Sequence, residues 1–253
     1  MAKMFIGGES VGSVTNNTTE VRNPATGATV DTVPQGNDKD VQQAISAAEG
    51  AFKVWSDVAP EDRGNALLNA GELIKKNTAE IAQLLTQEQG KTLFEAGLEI
   101  HHLVHGLEFY AGLASKVRGS HVPLPQKGAY GMVVRQPIGV CGGIVPWNFP
   151  LTLMGTKLGP ALAAGNTIII KPASTTPLAT IKVIELIAQA TFGEGKAQKP
   201  LPKGAVNIVT GPGGSVGEEL LRNPRVRRIA FTGSTPVGRH VMEVAGRELK
   251  RVT

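Results

Sequence analysis

The chain has one cysteine in 253 residues, Cys141. No internal disulfide can form, and no Cys/His cluster supplies the three or four ligands that a zinc site needs. Aromatic residues are scarce at 4%, and neither a recognition helix nor a zinc-finger pattern accompanies the basic residues, which argues against a nucleic-acid partner. No apolar run approaches the roughly 20 residues that span a bilayer, and Met1 to Gly8 lacks the charged, apolar and small-residue order of a signal peptide. A cytoplasmic protein with no membrane partner is expected. The generic phosphate-binding fingerprints are missing too. Gly211, Gly213 and Gly217 miss GxGxxG by one residue, and Gly233 to Gly238 lacks the Gly-Lys-Ser/Thr ending of a phosphate loop.

What is present is the balance of a turn-rich globular protein: 41% hydrophobic, 19% charged, 31 Gly and 16 Pro. The net charge of +5 gathers in part at Arg222, Arg225, Arg227, Arg228, Lys250 and Arg251. A solvated face accounts for these better than nucleic-acid binding, which would weaken steeply with salt.

The first thirty-odd residues read as short strands and turns, with Phe5-Ile6 running into Gly7-Gly8 and Val21-Arg22 into Asn23-Pro24-Ala25-Thr26-Gly27. From Asp38 the period becomes helical. Val41, Ala44, Ile45, Ala48 and Phe52 share one face, as do Ala66, Leu67, Ala70, Leu73 and Ile74 after Pro60. Asn77 and Glu80 have capping-box spacing ahead of Ile81, Leu84 and Leu85. A longer helix places Leu93, Ala96, Ile100, Leu103, Val104, Leu107, Ala111 and Ala114 on one face and is predicted to end near Gly119. Between Gly119 and Pro137, short extended runs around Pro123, Pro125 and Gly128 suggest a two-stranded excursion, either a surface hairpin or an arm that pairs with another subunit.

After Ile138, Val- and Ile-rich runs at Val140 to Val145, Thr167 to Ile170, Val206 to Val209 and Arg228 to Phe231 alternate with helical stretches. Those stretches are Leu151 to Ala164, Thr176 to Ala190, Val216 to Leu221 and Thr235 to Leu249. The alternation predicts an α/β fold with a Rossmann-like parallel sheet flanked by helices. Three regions follow: a helical N-terminal part over 1–118, a hairpin over 119–137 and successive βαβ units over 138–253. Ligands of such sheets bind beyond the carboxyl ends of the strands, so the residues just after each strand carry the functional reading. They are Pro146-Trp147-Asn148-Phe149-Pro150-Leu151, Lys171-Pro172-Ala173-Ser174, Gly211-Pro212-Gly213-Gly214-Ser215 and Gly233-Ser234-Thr235-Pro236-Val237-Gly238. A Gly-Ser at a strand-to-helix turn offers backbone N–H groups and a hydroxyl to a pyrophosphate.

Taken together these loops resemble the aldehyde dehydrogenase superfamily, with succinate-semialdehyde dehydrogenases closest in look. The resemblance runs from Asn23-Pro24-Ala25-Thr26-Gly27 through Glu88-Gln89-Gly90-Lys91 to Phe231-Thr232-Gly233-Ser234, and Pro-Trp-Asn-Phe-Pro is its most specific motif. It implies NAD(P)-dependent oxidation of a small aldehyde to an acid, by a homo-oligomer (dimer or tetramer) whose arm is the 119–137 hairpin. By resemblance Asn148 corresponds to the donor that stabilises the developing oxyanion. Ile144, Val145, Pro146 and Trp147 are expected along the nicotinamide. Lys171 and Ser174 are expected at the adenosine ribose, and Gly233 with Ser234 at the pyrophosphate, with Gly211, Gly213 and Gly238 completing the cofactor loops. Lys157 matches a lysine that helps relay protons, against the plainer reading of a solvated helix lysine.

Two departures bear on specificity. Ser174 stands where many NAD-preferring members carry a Glu that repels a 2′-phosphate, so NADP as well as NAD is expected to be accepted. Thr156 stands where succinate-semialdehyde dehydrogenases commonly place an Arg, which weakens the case for that substrate. The family's chemistry needs a cysteine nucleophile and a glutamate base. The base belongs to a Glu-Leu-Gly-Gly motif expected to begin about two residues after Thr253. Cys141, between Val140 and Gly142, reads as a buried small hydrophobe and not as the nucleophile. The chain is therefore expected to be a truncated cofactor-binding half with the catalytic domain missing, inactive by itself; a non-catalytic dinucleotide-binding or assembly module is the alternative.

Overall fold

The computed structural model describes residues 1–193, 195 and 198–253. The chain opens with β1 (Met4–Ile6), β2 (Glu9–Val11), β3 (Thr18–Arg22) and β4 (Thr29–Pro34). Four helices follow: α1 (Asp38–Trp55), α2 (Pro60–Lys76), α3 (Thr78–Gln89) and α4 (Leu93–Ala114). The hairpin β5 (Ser120–Pro123) and β6 (Tyr130–Val133) then leads to β7 (Val140–Ile144), α5 (Pro150–Ala163), β8 (Thr167–Lys171) and α6 (Leu178–Ala188). The last stretch holds β9 (Thr191–Phe192), β10 (Lys199–Pro200), β11 (Val206–Ile208), α7 (Glu218–Arg222), β12 (Val226–Phe231), α8 (Thr235–Arg247) and β13 (Arg251–Val252).

The central sheet has the order β13-β12-β7-β8-β11-β1-β2. Every pair from β13 to β11 is parallel, and β1 and β2 add antiparallel at the far edge. Because side chains alternate across a strand, β8 sends Ile168 and Ile170 into one core and Ile169 into the other. The first core packs α2 to α6 against the sheet; the second packs most of α1 with α7 and α8. Both faces are thus covered, which explains why β7 and β8 are near-continuous apolar runs. Glycines in β7 serve that packing. A Cβ on Gly142 would lie 2.9 Å from Ile229 Cδ1 and one on Gly143 2.8 Å from Ile170 Cδ1. Among the described residues no helix is long and apolar enough to cross a membrane.

Local details differ from the sequence reading at several points. Asn77 does not cap α3; its Nδ2 donates to Leu73 O at 2.8 Å, because the chain passes from α2 into α3 with no intervening loop and the side chain is used to close the first helix. Capping boxes form instead at Asn37 with Asp40 and at Thr92 with Glu95. Helix α4 ends at Ala114, ahead of Gly119, which lies at the base of the hairpin where a Cβ would meet Val133 O at 2.1 Å. Leu93, on the opening turn of α4, is 60% exposed. The stretch from Val216 is not one helix: a wide π turn over Gly213–Gly217 precedes the short α7.

Candidate functional site

Strands β7, β8 and β11 step outward in one direction, and β12 then returns to the other side of β7. The topological switch lies between β7 and β12, and sheets of this kind bind ligands beyond the strand ends at such a point. Backbone hydrogen bonds extend the ladder into the loops and hold them side by side. Val145 N donates to Lys171 O (3.0 Å), Thr232 N to Ile144 O (3.1 Å) and Val209 N to Ile170 O (3.0 Å).

At the end of β7, Val145 is buried, Ile144 and Pro146 are half-buried, and Trp147 and Asn148 are exposed. The Asn148 carbonyl accepts from Lys91 Nζ at 3.0 Å, whereas its side-chain amide makes no hydrogen bond among the described residues. Lys157, about two turns into α5, is buried. Its Nζ donates to Thr232 Oγ1 (2.6 Å) and to Leu153 O (3.1 Å), so the plain reading of a solvated lysine does not hold. Thr156 beside it is exposed and, among the described residues, bonds only its own helix, at Leu153 O (3.0 Å).

At the ends of β8 and β11, the Ser174 hydroxyl donates to Gly211 O at 3.4 Å, and the two loops flank a cavity of about 240 Å³. Gly211 has φ +139°, and a Cβ there would lie 2.7 Å from Gly36 O. Gly213 is not constrained in this way, since a Cβ meets nothing within 4 Å. After β12, Gly233 sits against the Phe231 ring (2.6 Å from a built Cβ), with Gly238 next to the same ring (3.4 Å). Ser234 precedes the first turn of α8 and leaves its hydroxyl free of any cap bond. Gly233, Ser234 and Gly238 line a separate, more open cavity of about 580 Å³. The candidate residues thus form two clusters, Ser174 with Gly211 and Gly233 with Ser234 and Gly238, on either side of the β7 loop.

Lys171 closes β8 and is buried, with no carboxylate in ion-pair range among the described residues. Burial lowers the pKa of both Lys157 and Lys171 to about 8. Because the folded values lie below the ordinary 10.5, the folded chain releases these protons first, and their contribution to stability grows from pH 8 towards 10.5 and is lost as pH falls through 8. Carbon-13 titration of reductively methylated lysines is expected to show two signals moving near pH 8, one lost in Lys157→Met and the other in Lys171→Met. Cys141 is 3% exposed and burial pushes its thiol up to about 11, so it stays protonated at neutral pH.

Three buried carboxylates escaped the sequence reading: Asp40, in the capping box that opens α1, and two glutamates that brace later helices. Glu88, at the end of α3, accepts from Leu178 N (2.7 Å) and Ala179 N (2.9 Å) at the start of α6, and burial raises its pKa to about 8. Glu99, on α4, accepts from Leu151 N (2.7 Å) and Thr152 N (3.2 Å) at the start of α5. The available signal was the Glu88-Gln89-Gly90-Lys91 stretch after an amphipathic helix, but its partners lie some 50 to 90 residues away.

A sheet that is parallel over its central strands, covered on both faces and furnished with glycine and hydroxyl loops at its strand ends, defines the doubly wound α/β class. Within it the chain belongs to the aldehyde dehydrogenase family, which it matches over residues 11–253. It is 39% identical over 249 residues to glutarate-semialdehyde dehydrogenase of Pseudomonas putida (98% of this chain, 50% of that one). To betaine aldehyde dehydrogenase of Bacillus subtilis it is 38% identical over 251 residues (98% and 49%). Among solved structures, succinate-semialdehyde dehydrogenase from Burkholderia pseudomallei superposes with a TM-score of 0.93 at 37% identity (100% of this chain, 51% of that one). Betaine aldehyde dehydrogenase from Staphylococcus aureus, in complex with NAD+, gives 0.92 at 33% (99% and 50%). The chain spans about half the length of the curated relatives it matches.

Proposed function

We propose that this chain is the NAD(P)-binding part of an enzyme that oxidises a small aldehyde to a carboxylic acid. The observation that carries the reading is the convergence of four strand-end loops at one end of the sheet, with one cavity bounded by Ser174 and Gly211 and another by Gly233, Ser234 and Gly238. The donor set fits a dinucleotide: among the described residues, a hydroxyl with no cap bond and N–H groups at the start of α8, Gly233 packed without a Cβ against the Phe231 ring, and Lys171 buried with no acidic partner.

In this reading Ile144, Val145, Pro146 and Trp147 line the nicotinamide end. Lys171 and Ser174 hold the adenosine ribose, with Gly211 and Gly213 shaping that loop. Gly233, Ser234 and Gly238 take the pyrophosphate. The bound NAD(P) supplies the hydride acceptor. Asn148 presents an uncommitted amide N–H to the substrate carbonyl oxygen, stabilising the negative charge that develops there. Lys157, whose amino group at a pKa of about 8 exchanges protons near neutral pH and touches Thr232, supports proton movement. Nucleophile and base lie outside these 253 residues, and the hairpin β5–β6 is the arm through which a homo-oligomer assembles.

Because Ser174 places no charge at the ribose, NADP is accepted alongside NAD. In calorimetric titration, Ser174→Glu is expected to weaken NADP by about tenfold or more through repulsion of the 2′-phosphate while leaving NAD within about threefold. Equal loss of both would remove Ser174 from the ribose site. The 253-residue chain by itself is expected to show no turnover above background with a panel of aldehydes; sustained NAD(P)H production would overturn the assignment of nucleophile and base to residues beyond it.

A further inference from the structure

We infer that Lys91 and Glu99 are positioning residues for Asn148, a clamp that fixes its carbonyl and the backbone that follows it so that its side-chain amide faces the site. The inference rests on the reading of Asn148 given above. It begins from local chain geometry. Helix α3 ends on Gly90 at φ +90°, where a Cβ would strike Pro24 Cγ at 2.8 Å, and this left-handed turn swings Lys91 back towards the β7 loop. The Thr92–Glu95 capping box then starts α4 at once and sets Glu99 two turns in.

From there the two side chains, 8% and 0% exposed, pair with each other and divide the loop between them. Lys91 Nζ donates to Asn148 O (3.0 Å) and lies 4.4 Å from the centroid of the Phe149 ring, a cation–π contact. Glu99 Oε1 accepts from Leu151 N and Thr152 N, two of the orphan donors of α5, and Glu99 O accepts from Thr152 Oγ1 (3.4 Å). Phe149, the residue that precedes α5, has no side-chain capability to cap it, so the carboxylate from α4 performs that role. Residues 148, 149, 151 and 152 are therefore each held by one member of a single buried ion pair. The side chain of Asn148 is the part of this stretch left free. Asn148 is thus held through its carbonyl, while its side-chain amide makes no hydrogen bond among the described residues.

The test uses the 253-residue chain and nitrogen-15 NMR, with resonances of the Asn148 side-chain amide, the Trp147 indole and the Leu151 and Thr152 backbone amides as readouts. Lys91→Met keeps the stem and removes the donor; Lys91→Arg keeps a donor; Glu99→Gln removes the charge. Lys91→Met is expected to shift or broaden the Asn148 and Trp147 signals, with Lys91→Arg restoring them in part. Glu99→Gln is expected to speed exchange of the Leu151 and Thr152 amides about tenfold. Folded Lys91→Met with Asn148 and Trp147 signals superimposable on the parent overturns the inference. If Lys91→Met does not fold, a Glu99→Gln chain whose Leu151 and Thr152 amide exchange and Asn148 signals all match the parent overturns it equally. Titration of the parent chain with NADPH reads the dinucleotide assignment separately, so a chain that fails to bind but reorganises its Asn148 loop in Lys91→Met contradicts the function and supports the clamp.

Discussion

Gly211→Val is expected to destabilise the chain by about 3 kcal/mol or more and to abolish measurable dinucleotide binding. Two costs combine. At φ +139° a β-branched side chain is strained whatever the space around it, and the space is absent: its Cβ would lie 2.7 Å from Gly36 O and 2.7 Å from Val216 Cγ2. Gly36 is itself tied to the same loop through its N–H to Thr210 O at 3.0 Å, so it cannot retreat without breaking a backbone bond. The loop must move instead, and Ser174 bonds to its carbonyl. At about 2–4 °C per kcal/mol for a chain of this size, the melting temperature should fall by about 6–12 °C. Gly213→Ala provides the contrast. Its Cβ meets nothing within 4 Å and its φ is not positive, so stability should change by less than about 0.5 kcal/mol. Equal effects of the two substitutions would show that Gly211 is not the constrained position.

Trp55→Ala should cost about 3–5 kcal/mol in urea unfolding, the range for a large aromatic removed from a closed core. Trp55 is fully buried at the end of α1, packs edge-on to Phe192 with centroids 5.7 Å apart, and donates its indole N–H to Leu162 O at 3.1 Å. The change therefore leaves a cavity and removes one hydrogen bond to Leu162 O, which keeps Gly165 N at 2.9 Å. Leu162 lies in the last turn of α5, the helix that starts at the Asn148 loop, so the anchor at its far end is lost as well. Trp147, 60% exposed, remains to report unfolding by fluorescence. A loss below about 1 kcal/mol would mean that α1 does not brace α5.

How much of this was legible in the sequence depended on the range of the interaction. The parallel sheet was readable because β7, β8, β11 and β12 each announce themselves locally, as apolar runs closed by glycine or proline. Burial of Cys141 was readable from its strand neighbours. Helix faces on α2 and α4 followed from period, except that Leu93 occupies the first turn of α4, which projects past the core; on α1 the period held through Ala48, but Ala51 and Trp55, not the half-buried Phe52, complete the buried face. The Asn77 cap failed because spacing identifies a capping box only if the residue's φ and ψ allow it, and here they serve the end of α2. The Lys157 environment and the carboxylates Glu88 and Glu99 were not legible, since each depends on a partner brought close by the tertiary fold: Thr232, Leu178 and Leu151. Charged residues read as solvated by default, and nothing local marks these as exceptions.

The most direct test of the strand-end site is hydrogen–deuterium exchange of the 253-residue chain with and without saturating NADPH. The account predicts slowed exchange confined to 145–149, 172–177, 209–215 and 232–238, the four loops that the parallel sheet brings together. Protection absent from those loops, or centred instead on the hairpin or on α2 to α4, would contradict it.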